Sequence, residues 1–277
     1  MPISPLIDQT VAAIRPLDEV AMDAARARQD NLTKPPGSLG RLEEISILLA
    51  GVFGEAIPHI RHKSVIVAAG DHGVVAEGVS AYPQEVTPQM VYNFLRGGAA
   101  INVLAGHAGA DIVVLDAGVA ADLDPHLSLK DVKVAKGTNN MAQGPAMTVP
   151  QAIQSIEVGI SAAQECLAAG ADLIACGEMG IGNTTPSSAI TAVIVGTDPA
   201  VTTGRGTGLE DTELAKKIEV IKRAIEVNQP DAQDGIDVLA KIGGFEIGAL
   251  AGAMLGTAAG RRPVMVDGFI SGAAALI

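Results

Sequence analysis

The chain has 277 residues, enough for one large α/β domain or two small ones. Lys and Arg number 19 against 31 Asp and Glu, a formal charge of −12, which argues against the basic patches needed to neutralise nucleic-acid phosphates. Charged residues make up only 18% and AVILMFWYC reach 48%, which excludes a disordered chain, while four Phe, two Tyr and no Trp leave the core to aliphatic side chains.

Residues 8–30 read as a helical region divided by Pro16, followed by a turn-rich stretch, Asn31 to Gly37. After Ser38, a helical run puts Leu39, Leu42, Ile45, Leu48 and Leu49 on one face. The first strand is expected at Ser64–Ala69, running into Gly70-Asp71-His72-Gly73, and a helix from about Thr87 to Ala105 follows. A second strand, Asp111–Leu115, ends at Asp116-Ala117-Gly118; the stretch 119–148 is less readable. A helix over 150–169 leads to a third strand, Asp172–Cys176, and then to Gly177-Glu178-Met179-Gly180. Helices near 187–196, 211–228, 232–242 and 245–260 precede a last strand, Pro263–Val266, which ends at Asp267-Gly268. The glycines at 248, 252, 256 and 260 predict a helix lying close against the sheet.

Short apolar strands alternating with helices indicate a parallel sheet covered on both faces. The expected organisation is a small helical domain over 1–60 and a Rossmann-like α/β domain over 61–277. The long uncharged run Met179–Thr197 is interrupted by polar Asn183 to Ser188, so no membrane span is expected. No basic segment followed by an apolar stretch opens the chain, so no signal peptide is expected. Cys166 and Cys176 form neither a metal motif nor a disulfide framework, and a reducing cytoplasm is the expected compartment.

Four strands end in an acid beside glycine: Asp71, Asp116, Glu178 and Asp267. Strand carboxyl ends of an open parallel sheet share the edge where ligands bind, although any one such acid also suits a helix cap. Gly177 to Thr185 is the densest signal. Its glycines allow a tight turn with amides aimed at an anion, and Asn183, Thr184 and Thr185 add donors and an N-cap. The pattern is neither a Walker A loop nor a dinucleotide fingerprint, so it fits a phosphate or carboxylate loop and a structural turn about equally. Gly204-Arg205-Gly206-Thr207-Gly208 alternates glycines without a preceding strand, and Lys217 follows in a helix. His72 has no second histidine at ligand spacing, so neither metal nor cofactor is expected.

Leu32 to Glu43, Ala69 to Val74 with Glu77 to Ser80, Gly177 to Thr185, Asn228 to Pro230 with Asp234 to Asp237, Gly243 to Glu246, and Asp267-Gly268-Phe269 together resemble the nicotinate-nucleotide–dimethylbenzimidazole phosphoribosyltransferase family. The resemblance runs from about residue 30 to the end. It implies a Rossmann-like sheet with a small helical domain, assembled as a homodimer in which the Thr33–Gly40 turn helps close the partner's site. It implies transfer of phosphoribose from nicotinate mononucleotide to 5,6-dimethylbenzimidazole, in cobalamin lower-ligand assembly. By the same resemblance Glu178 is the catalytic carboxylate, and Gly180, Gly182, Asn183, Thr184 and Lys217 hold phosphate and ribose. Asp71, His72, Tyr82 and Met90 belong to the base pocket. The family's general base is a glutamate in a Leu-Gly-Glu-Gly stretch past the Asp-Gly-Phe block, so it is expected beyond Ile277 and the chain is expected to be incomplete. Transfer to another azole or a phenolic acceptor, and a non-catalytic mononucleotide-binding protein, are the alternatives.

Overall fold

The computed structural model describes residues 3–206 and 208–277. In chain order the elements are α1 (Pro5–Ala13), α2 (Glu19–Asp30), α3 (Arg41–Phe53), β1 (Lys63–Gly70), α4 (Val86–Leu95), α5 (Ala100–Ala108), β2 (Ala110–Gly118) and β3 (Leu129–Asp131). They continue with α6 (Val149–Ala168), β4 (Leu173–Met179), α7 (Thr184–Val195), α8 (Pro199–Thr202), α9 (Asp211–Asn228), α10 (Gly235–Ile242), α11 (Phe245–Ala259), β5 (Val264–Met265) and α12 (Phe269–Leu276). A 3₁₀ turn, Gly73–Glu77, follows β1.

Local chemistry sets many of the boundaries. Pro16 separates α1 from α2, and α2 restarts at Asp18, whose carboxylate accepts from the Ala21 amide at 2.9 Å. Thr148 opens α6 with a capping box to Gln151. The single helix expected over 87–105 is two helices: Gly97 takes φ +76° and breaks the run between α4 and α5.

The sheet is parallel, in the order β3-β2-β1-β4-β5. Alternation along β1 divides the core. Ile66 and Ala68 join a large cluster with α6, α10 and α11, while Val65, Val67 and Ala69 pack with α4 and α5 on the other face. The helix α11 lies against the sheet as expected, but its glycine ladder faces α6. A Cβ at Gly252 would stand 1.9 Å from the Ile156 carbonyl oxygen, and one at Gly159 of α6 only 1.8 Å from that of Ala249. The two helices therefore touch backbone to backbone.

The segment 1–60 does not pack as one layer. Ile7 of α1 lies in the large core, whereas α2 and α3 pair with each other, and Met22 and Leu17 close over Gly51. Among the described residues no helix is long and apolar enough to cross a membrane.

Candidate active site

Strand order reverses between β1 and β4: the chain leaves β1 toward β2 over the α4/α5 face and leaves β4 toward β5 through helices that include α11 on the opposite face. Such a switch point opens a crevice at the strand carboxyl ends. There β1 delivers Gly70-Asp71-His72 and β4 delivers Glu178, Met179 and Gly180.

The loop after β4 is tightly bound. The Asn183 amide donates to the Gly180 carbonyl at 3.1 Å, Thr185 to Gly182 at 2.9 Å, and Ile181 to Thr87 Oγ1 of α4 at 3.1 Å. Gly182 needs its φ of +86°, and a Cβ there would also strike Val75. Its amide makes no hydrogen bond among the described residues. Asn183 is the N-cap of α7 by position, but its side chain does not cap the helix as expected; Nδ2 donates instead to the Glu178 carboxylate. Burial pushes Glu178 above the usual carboxylate range, against the pull of that hydrogen bond.

Lys217 is not the solvated lysine usual on a helix. It is 1% exposed, and its Nζ donates to Thr184 Oγ1 at 2.6 Å, in the first turn of α7. Burial lowers its pKa to about 8. Gly206, at φ +55°, lets the glycine-rich segment close over it: a Cβ there would lie 3.2 Å from Nζ. The arrangement gathers an ammonium, an unpartnered glycine amide and the positive end of a helix, which is chemistry for a phosphate.

The four strand-end acids do not share one environment. Glu178 and Asp267 line a common cavity of about 230 Å³ with Phe94, Ile101 and Cys176. Asp116 turns inward to Lys133 Nζ at 2.7 Å and the Val119 amide at 2.9 Å. Asp71 accepts from the Ala120 amide at 2.8 Å. Of the expected base-pocket residues, Asp71 and His72 are each 1% exposed and lie beneath the sheet edge, engaged with protein groups. Met90 sits one turn after Thr87 on α4, and Tyr82 is 52% exposed in the turn before that helix. Glu246, to which the sequence assigned no role, proves to be the buried partner of His72, at 2.5 Å. A single carboxylate at the start of the otherwise uncharged α11 was the signal for it.

Residues 14–277 match the family model described as Phosphoribosyltransferase. A curated relative from Chloroflexus aggregans, nicotinate-nucleotide–dimethylbenzimidazole phosphoribosyltransferase, is 60% identical over 98% of this chain and 77% of its own. The protein of the same name from Roseiflexus sp. strain RS-1 is 57% identical over the same shares. The crystal structure of CobT from Thermus thermophilus superposes with a TM-score of 0.90 at 47% identity, over 93% of this chain and 77% of that one. The chain belongs to the nicotinate-nucleotide–dimethylbenzimidazole phosphoribosyltransferase family.

Proposed function

We propose that this protein transfers phosphoribose from nicotinate mononucleotide to 5,6-dimethylbenzimidazole, giving α-ribazole 5′-phosphate and nicotinate, in assembly of the cobalamin lower ligand. The observation that carries this reading is the meeting of Glu178, the Gly180–Thr184 loop and buried Lys217 at the switch point, in a chain of this family. The 5′-phosphate lies against Gly180, Gly182, Asn183 and Thr184, with the Lys217 ammonium as counter-charge. Glu178 faces the sugar and stabilises positive charge developing at C1′.

As the C1′–N bond to nicotinate breaks, its electron pair returns to the pyridine nitrogen, already cationic in the substrate, so that group departs without needing a proton. The benzimidazole's unprotonated ring nitrogen gives its lone pair to C1′, and the N–H proton on the other ring nitrogen passes to a general base. Tyr82 and Met90 of the α4 side supply flat and apolar contacts for the acceptor, and Asp71 and His72 underlie them. Glu178 works only as the carboxylate, so activity falls as pH drops through its raised pKa, above the usual carboxylate range.

The active species is a homodimer in this reading. Leu39, Leu42, Ile45 and Leu48 form an exposed apolar stripe beside the Thr33–Gly40 turn, which Lys34 ties to Glu43 at 2.8 Å. A second copy covering that stripe brings the turn to its partner's site. The cytoplasm suits the two buried, unpaired cysteines. Incubation of the full-length protein with nicotinate mononucleotide and a panel of azoles and phenols tests the assignment. Benzimidazole-dependent release of nicotinate is expected, and a preference for a phenol or no turnover would contradict it.

A further inference from the structure

Glu246 stands in the first turn of α11, where the helix's free amides favour a carboxylate. It is 0% exposed; Oε1 lies 2.5 Å from His72 Nε2, and Oε2 is buried with no partner among the described residues. Three glycines close on this pair, one ending β1, one just after β4 and one just before α11. A Cβ at Gly70 would lie 2.6 Å from Glu246 Oε2, and one at Gly244 would lie 2.4 Å from His72 Cε1. One at Gly180 would meet the Gly70 carbonyl at 2.4 Å, Glu246 Oε1 at 3.0 Å and His72 Nε2 at 3.1 Å. The pair is thus the floor under Gly180, where β1 and β4 end and α11 begins. Stability alone does not call for it, since packed apolar residues of similar volume serve a core as well or better than buried ions. What such residues lack is charge beneath the loop and near Glu178.

We propose that His72 and Glu246 are positioning residues of the transfer site: a buried imidazolium–carboxylate pair that braces the Gly180 backbone from below and keeps the charge near Glu178 balanced so that Glu178 stays ionised. The proposal rests on the reading of Glu178 and the Gly180 loop as the sugar- and phosphate-facing side of the site. Burial alone disfavours a charged His72, but Glu246, through its charge and hydrogen bond, and then Asp71 and Glu178 raise its pKa. Glu178 itself is raised by burial, lowered by Asn183, raised by Glu246 and lowered by His72, so the two members of the pair oppose each other there. Beyond the end of β5, Asp267 faces the same cavity, and from α4 and α5 only apolar Phe94 and Ile101 do.

The test is the pH dependence of kcat/KM in the full-length protein and in His72→Gln, Glu246→Gln and the double variant. His72→Gln alone leaves Glu246 unbalanced, so the acid limb is expected to move up by about one pH unit, with kcat down about tenfold or more. The double variant should bring the limb back and lose no more than the worse single variant, a strong coupling. An unmoved limb with additive losses would overturn the proposal. Nitrogen NMR of His72 in the unmodified protein needs no variant to fold: a doubly protonated ring at about pH 7, above the ordinary imidazole value, is expected, and a neutral ring at that pH would equally overturn it. A Glu178→Gln variant with intact kcat would instead remove the underlying site reading, leaving the state of His72 as measured.

Discussion

Lys217 shows what the proposed phosphate site demands of the fold. An ammonium with its pKa lowered from 10.5 to about 8 by burial costs stability in the ligand-free protein. The unfolded chain holds more protons than the folded one between about pH 8 and 10.5, so that cost is full below pH 8 and relieved as pH rises through this window. Lys217→Met should therefore stabilise the ligand-free fold at neutral pH by about 1–3 kcal/mol, read from urea denaturation. A destabilised variant would show that contacts within the chain offset the burial of the ammonium. Lys217→Ala should weaken nicotinate mononucleotide binding about ten- to a hundredfold by calorimetry. A phosphate beside the ammonium draws its proton back, so binding at about pH 8 should take up protons, and buffer-independent enthalpy would contradict that. The loop and the lysine were legible in the sequence as residue types. Their union was not, because a lysine on a helix shows its burial only when the face opposite, here Thr184 of α7, is known.

At the scale of elements, the α6–α11 crossing leaves no room for side chains. Gly252→Ala would force a methyl to 1.9 Å of the Ile156 carbonyl, and separating the helices should cost about 3 kcal/mol or more. Chemical denaturation checks this; a change below about 0.5 kcal/mol would mean that the crossing yields easily. The four-residue glycine spacing announced a close approach, but periodicity along one helix does not say which neighbour approaches: α11 lies on the sheet, and its glycines meet α6. The β2 end is held differently. Lys133 reaches Asp116 at 2.7 Å and the Val119 carbonyl at 2.5 Å, pinning the crossover that the sequence left unreadable. Lys133→Met strands a 1% exposed carboxylate and should cost about 3 kcal/mol in the same assay, with little effect on nucleotide affinity if that acid is purely structural. Family blocks outside the site behave likewise: Asn228 donates to the Met141 carbonyl, and Asp234 caps α10.

For the whole molecule, the parallel sheet and its two apolar faces follow from the strand sequences, since Val65-Ile66-Val67-Ala68-Ala69 has no polar side to expose. The strand order does not, because it depends on which helices cross which face. Only that order explains why Glu178 stands at the switch point, beside the loop whose Thr184 Lys217 reaches, while Asp116 serves the core. If the proposed homodimer forms on the exposed stripe of α3, Leu42→Glu should shift the protein toward monomer in sedimentation experiments, and an unchanged mass would contradict that dimer. In the proposed reaction phosphoribose reacts beside Glu178. The most direct measurement is a steady-state comparison of Glu178→Gln with the unmodified full-length protein in α-ribazole 5′-phosphate formation. A fall in kcat of about a hundredfold or more, with KM for nicotinate mononucleotide nearly unchanged, is the predicted result; an intact kcat, with or without a raised KM, would contradict it.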